Sequence, residues 1–195
     1  MTVTERKQLD PRAAAYAYQV VAAIDSTVPV LGAFVLGSAA AGRFDPATSD
    51  LDLVVVAERP LTADRPELLR RLRELPSPFR DLELVVYAAG AQPPNFELNV
   101  NHGQERPAAE SFWFVLDAAL AQDHSVPVAG GHPWSDFFAP VEPERVREAM
   151  RESLAWAERQ PPEDEFARLH AIRARRYLEH GEWMSKAQAR EEAGQ

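Results

Sequence analysis

The chain has 195 residues, 46% hydrophobic and 26% charged, which is enough for one domain with a substantial core or for two small ones. Its net charge of −9 excludes the basic footprint needed to grip long nucleic acid and suits a cationic small-molecule substrate. Cysteine is absent, which excludes disulfides, thiolate metal sites and cysteine nucleophiles. With no apolar run near the ~20 residues of a membrane span and no apolar N-terminal leader, a cytoplasmic location and no membrane partner are expected.

Residues 10–24 read as a helix, with Asp10 as its cap and Pro11 in its first turn. An apolar, β-branched run over 28–36 predicts a first strand, followed by a short helix from Ser38 to Gly42 and a loop over 43–49. A second strand is expected over 50–57, a helix over 66–75, and a third strand over 81–88 after the stop at Pro76-Ser77-Pro78. Residues 89–107, rich in Pro, Asn and Gly, read as irregular connection. Beyond residue 108 the pattern is helical only, over 108–122, 143–160 and 163–180, with Val146, Met150, Leu154 and Ala157 forming one apolar stripe. The expected fold class is α+β: a small mixed-sheet domain over 1–105, then an all-helical domain over 106–195.

One stretch concentrates the chemistry. The first strand ends in Gly37-Ser38, and a dozen residues later Ser49-Asp50-Leu51-Asp52 opens the second. Strand side chains alternate, so Asp50 and Asp52 share a face while Leu51 and Leu53 take the other. Two ionised carboxylates this close call for a divalent cation. Gly-Ser at the mouth of a helix offers backbone N–H groups and a hydroxyl to a phosphate. In the third strand, Leu82-Glu83-Leu84-Val85-Val86, Glu83 opposes its apolar neighbours and becomes a third carboxylate if the strands are adjacent. Three such groups can hold two Mg²⁺ ions about 3.5–4 Å apart, the clamp for nucleotidyl displacement, and Glu83 can take a proton from an attacking hydroxyl.

Gly37-Ser38, Ser49-Asp50-Leu51-Asp52 and Glu83 together resemble the signature of the polymerase β-like nucleotidyltransferase superfamily. The second half, with Asp123-His124-Ser125-Val126-Pro127-Val128, Phe138-Ala139-Pro140-Val141 and Gly181-Glu182-Trp183-Met184-Ser185-Lys186, resembles the helical domain of aminoglycoside adenylyltransferases. That resemblance implies an α/β nucleotidyltransferase domain facing a helical domain, here shorter than is usual for the family, with ATP and antibiotic in the cleft between them. It implies ATP as co-substrate, Asp50 and Asp52 as Mg²⁺ ligands, and Glu83 as general base and third acidic ligand. Gly37, Ser38 and Ser49 would contact phosphates, joined from the helical side by Arg173 and Lys186. Taken alone, Arg173 and Lys186 read as solvated helix positions.

The implied antibiotics are polycations, which acidic and aromatic groups recognise. The candidates are Trp113, Asp117, Trp156, Glu163, Asp164 and Glu165, of which the last three equally suit a helix N-terminus. The expected activity is Mg-dependent transfer of AMP from ATP to an aminoglycoside hydroxyl, with release of pyrophosphate. The residues leave three alternatives open: another small-molecule acceptor, a side chain of a partner protein as in toxin–antitoxin nucleotidyltransferases, or nucleotide binding without transfer. A homodimer that completes the helical part is also open to the chain.

Overall fold

The computed structural model describes residues 9–101, 103–106 and 110–194. It contains α1 (Pro11–Asp25), β1 (Val30–Val35), α2 (Gly37–Ala40), β2 (Leu51–Ala57), α3 (Arg65–Arg73), β3 (Leu82–Ala88), β4 (Leu98–Asn101) and β5 (Gln104–Glu105). There follow α4 (Ser111–His124), β6 (Val126–Ala129), α5 (Pro143–Ala157), α6 (Glu165–His180) and α7 (Lys186–Ala193). The six strands form one mixed sheet in the order β5-β4-β3-β2-β1-β6, as expected of an α+β fold. Among the described strands only β2 and β3 run parallel; the other neighbours are antiparallel. None of the described helices is long and apolar enough to cross a membrane.

The chain divides into two compact units. One comprises the described residues of Met1–Ala109 together with Leu120–Pro140, the other those of Glu110–Ala119 and Val141–Gln195. Where the sequence suggested one boundary at 105/106, α4 thus contributes to both, and residues 120–140 go with the sheet.

In the sheet unit, alternation decides what is buried. Leu51, Leu53 and Val55 of β2 and Leu82, Leu84 and Val86 of β3 face one side. There they meet Ala13, Tyr16, Ala17, Val20 and Ile24 of α1 and Leu68 of α3. Asp10 caps α1 as expected, its Oδ1 accepting from the Arg12 N–H at 2.8 Å. On the opposite side, Phe34 of β1 packs edge-on against Trp134 and Phe137, and Tyr87 of β3 against Phe138.

Three strands and one helix lie where none was predicted. The connection over 89–107 contains β4 and β5, and the supposedly helical second half contains β6. In β4, Leu98 and Val100 join the core while Asn99 and Asn101 alternate with them, and Asn is poorly represented in strands. In β6, Pro127 lies opposite Phe34 of β1 on the sheet's edge, where a residue without an N–H is tolerated. Helix α7 is set by a capping box between Ser185 and Gln188.

The helical unit has its own core of Phe112, Val115, Leu116, Val146, Ala149, Met150 and Ala174. Beside it, Trp113, Trp156 and Phe166 surround His170, with the Trp113 and His170 rings 4.6 Å apart. His170 is 5% exposed, and neither ring nitrogen has a hydrogen-bond partner among the described residues. Burial, and then the cations Arg173 and Lys186, push its pKa from 6.5 down to about 4.

Two stability predictions follow from these cores. Leu53 is 1% exposed, and Leu53→Ala should cost about 2–5 kcal/mol in urea unfolding. His170 stays neutral in the folded chain while the unfolded chain protonates it below its ordinary pKa. Its contribution is therefore complete above about pH 6.5 and is lost as pH falls towards 4. His170→Phe should remove about 2–3 kcal/mol of the stability difference between roughly pH 7 and pH 4.5, read as urea midpoints of wild type and variant. Identical pH dependence in both chains would contradict the buried neutral imidazole.

Candidate active site

Strand β1 ends in an abrupt turn. The Leu36 N–H donates to the Asp52 carbonyl at 3.0 Å, and the chain then enters α2 at Gly37. Gly37 has φ +60, and a Cβ there would stand 1.8 Å from Asp52 Oδ2. The position therefore needs glycine twice, for its backbone conformation and for the carboxylate against it. Ser38 follows, half-buried, in a helical turn whose first amides lack intrahelical acceptors.

The loop from Asp45 to Ser49 closes on itself. The Asp45 N–H donates to Ser49 Oγ at 3.1 Å, and the Ser49 N–H returns to the Asp45 carbonyl at 2.8 Å. Asp45 also accepts from the Ala47 N–H and from Thr48 Oγ1, each at 2.9 Å, which holds its carboxyl below the usual range. Ser49 thus serves first to set the entry into β2.

Strands β2 and β3 pair in parallel, with Leu51 opposite Leu82, Asp52 opposite Glu83 and Leu53 opposite Leu84. Neighbouring strands lie about 4.8 Å apart, so Asp52 and Glu83 stand side by side on the face away from α1 and α3. Both are half-buried. The hollow lined by Tyr16, Leu72, Ser77 and Leu82 opens on the helix-covered side and is no part of this face.

Asp50 is placed differently from its two partners. It lies just ahead of β2, is among the buried residues, and both its oxygens are taken by Arg80. Arg80 Nε donates to Oδ1 at 2.7 Å, and the second guanidinium nitrogen donates to Oδ2. The Asp50 hydrogen bond raises the Arg80 pKa above its ordinary value against the opposing effect of burial, with smaller contributions from Glu83 and Asp81. Accordingly, no set of three or more His, Asp or Glu side chains is gathered for metal binding among the described residues. The expected three-carboxylate cluster is thus observed as a pair of opposed strand positions plus an Asp50 closed by a guanidinium. The donor chemistry nevertheless fits magnesium: hard carboxylate oxygens on one face beside a turn kept open by Gly37.

Nothing in the spacing singled out Arg80. An arginine three residues before Glu83 reads as one more solvated cation until the parallel register brings it to Asp50.

The remaining candidates lie in the helical unit. Arg173 Nε donates to the Met184 carbonyl at 2.8 Å; burial lowers its pKa, and Asp117 opposes that shift. Lys186 begins α7, its Nζ 5.6 Å from the Phe166 ring, which itself lies 5.7 Å from Trp113. Asp164 caps α6 by accepting from the Ala167 N–H at 3.0 Å, so its carboxylate has a local structural duty. Glu163 is exposed just ahead of that cap, and Glu165 pairs with Arg190. The structure therefore brings Trp113, Trp156 and Lys186 together around Phe166, and Asp117 near Arg173, while Glu163 stands in solvent.

Comparison with known proteins bears on the sheet unit's family and on the fold. Residues 18–88 match the family described as nucleotidyltransferase domain. Curated protein sequences give no match. Among solved structures, spectinomycin adenyltransferase AAD(9) from Enterococcus faecialis, determined with ATP and spectinomycin, superposes with a TM-score of 0.70. The match covers 88% of this chain and 80% of that one at 19% identity, so the likeness is one of fold. The segment that matches the nucleotidyltransferase domain contains Gly37, Ser38, Asp50, Asp52 and Glu83, so every sequence-predicted acidic and Gly-Ser position of the sheet unit falls within it.

Proposed function

We propose that the chain transfers AMP from ATP to a hydroxyl of an aminoglycoside-type antibiotic, releasing pyrophosphate. The observation that carries this reading is the placement of Asp52 opposite Glu83, beside the Gly37 turn. Asp50, Asp52 and Glu83 are the residues that would hold magnesium. When bound, magnesium neutralises triphosphate charge and eases departure of pyrophosphate.

The rest is the work of the chain's own backbone and side chains. The first-turn amides after Gly37 and the Ser38 hydroxyl hold phosphate oxygens, and Ser49 fixes the loop that presents Asp50. Glu83 accepts the proton of the acceptor hydroxyl as its oxygen bonds to the α-phosphorus. The bond from that phosphorus to the oxygen bridging towards the β-phosphate breaks, and the electron pair leaves with pyrophosphate. The helical unit carries Trp113, Trp156 and Phe166, whose ring faces suit a cation, as that of Phe166 already does Lys186. The fold shared with a spectinomycin adenyltransferase and the net charge of −9 both support a polycationic acceptor. Dependence on ATP fits a cytoplasmic setting.

Pyrophosphate release from ATP and Mg²⁺ across an aminoglycoside panel tests the proposal. At least one drug should stimulate release. Asp52→Asn should lower turnover by roughly 10³-fold or more with the fold retained, because it removes a charge used in the reaction. Glu83→Gln should keep ATP binding and lose roughly 10²–10⁴-fold in kcat, as for a missing general base. ATP binding with no drug-stimulated release would overturn the assigned acceptor, and full activity of Glu83→Gln would overturn the assigned base.

A further inference from the structure

We propose that Arg80 is a positioning residue that closes the Asp50 carboxylate against metal until a nucleotide is present. This rests on the reading of Asp50 as a cation ligand. Both Asp50 oxygens are engaged by one guanidinium, in the bidentate geometry that makes such pairs strong. The two partners differ in exposure. The Asp50 side chain is 8% exposed and sits in place ahead of β2, whereas that of Arg80 is 55% exposed and has solvent to move into.

The geometry sets an order of events. The lone pairs that Asp50 turns to Arg80 become available to a cation only after the guanidinium has released them. A bare cation must displace the guanidinium from Asp50 and leave Arg80 beside a like charge with one anionic partner fewer. A nucleotide changes that balance, because its phosphates offer the released guanidinium a second anionic, bidentate partner. Arg80 therefore couples metal binding to nucleotide binding. Arg80 also neutralises charge at the mouth of the parallel pair, where Asp50, Asp81 and Glu83 all act on it. The coupling is a difference between two states of one side chain and needs no movement of the sheet.

The test is Mn²⁺ binding to the full chain, read by electron paramagnetic resonance, with and without a non-hydrolysable ATP analogue. Without nucleotide, Arg80→Ala should bind Mn²⁺ at least about tenfold more tightly than wild type, the scale of a lost charge-assisted hydrogen bond. Arg80→Lys, which keeps the charge without the fork, should fall between them and serves in its place should the alanine variant fold poorly. The analogue should tighten Mn²⁺ binding more in wild type than in Arg80→Ala. Adding Asp50→Asn to Arg80→Ala should abolish the gain. Unchanged or weaker Mn²⁺ binding in both Arg80 variants, with Asp50→Asn still harmful to wild type, overturns the role of Arg80 alone. Mn²⁺ binding indifferent to Asp50→Asn in every background overturns the metal reading of Asp50 and this proposal with it.

Discussion

The parallel pairing of β2 with β3 is the constraint on which the site depends. It sets Asp52 against Glu83, although 30 residues and the whole of α3 separate them in the chain. What holds that register is the other side of the sheet. Leu51, Leu53, Leu82 and Leu84 are fully or almost fully buried against α1 and α3, and a slip of one residue would exchange them for the acidic face. The apolar core thus fixes the separation of two charges it never touches. Gly37 adds a second constraint, because the turn it allows brings backbone against Asp52 where any side chain would collide.

Concentrating acid at one end of two strands carries an electrostatic cost, and the chain meets it locally. Arg80 answers Asp50 directly. The loop before β2 spends its polar groups on itself, through Asp45, Ala47, Thr48 and Ser49, so that the aspartates enter the sheet from a fixed start. In the helical unit the balance is reversed. A neutral His170 lies among aromatic rings with Arg173 and Lys186 near it, and rings rather than carboxylates do most of the surrounding. One unit therefore presents acid and a backbone turn, the other presents aromatic surface.

Much of this was legible in one dimension. Asp10 and Pro11 announced α1, and the alternation in Leu51-Asp52-Leu53 and Leu82-Glu83-Leu84 announced two half-buried strands with acid on the same side. Gly-Ser followed by Ser-Asp-x-Asp pointed to the nucleotidyltransferase domain that residues 18–88 match. What escaped has physical causes. Strand β4 has asparagine at alternate positions and β5 is two residues long, so neither carries an apolar signature; both exist because β3 offers an edge. Strand β6 contains a proline that only an edge position accommodates. The capping box of α7 was written in Ser185 and Gln188, yet a helix with so little apolar surface gives no periodicity to find. The hold of Arg80 on Asp50 is a tertiary fact, created by a register that spacing alone does not specify. Asp164 shows the converse: a residue suited to a cationic ligand is occupied in capping its own helix.

The most direct measurement is anomalous diffraction from crystals grown with Mn²⁺ and an ATP analogue that cannot be cleaved. The account predicts manganese within coordination distance of Asp52, with Glu83 on the same face and triphosphate oxygens completing the ligand shell beside Gly37 and Ser38. Manganese bound elsewhere, or a triphosphate lying away from that face, would contradict it.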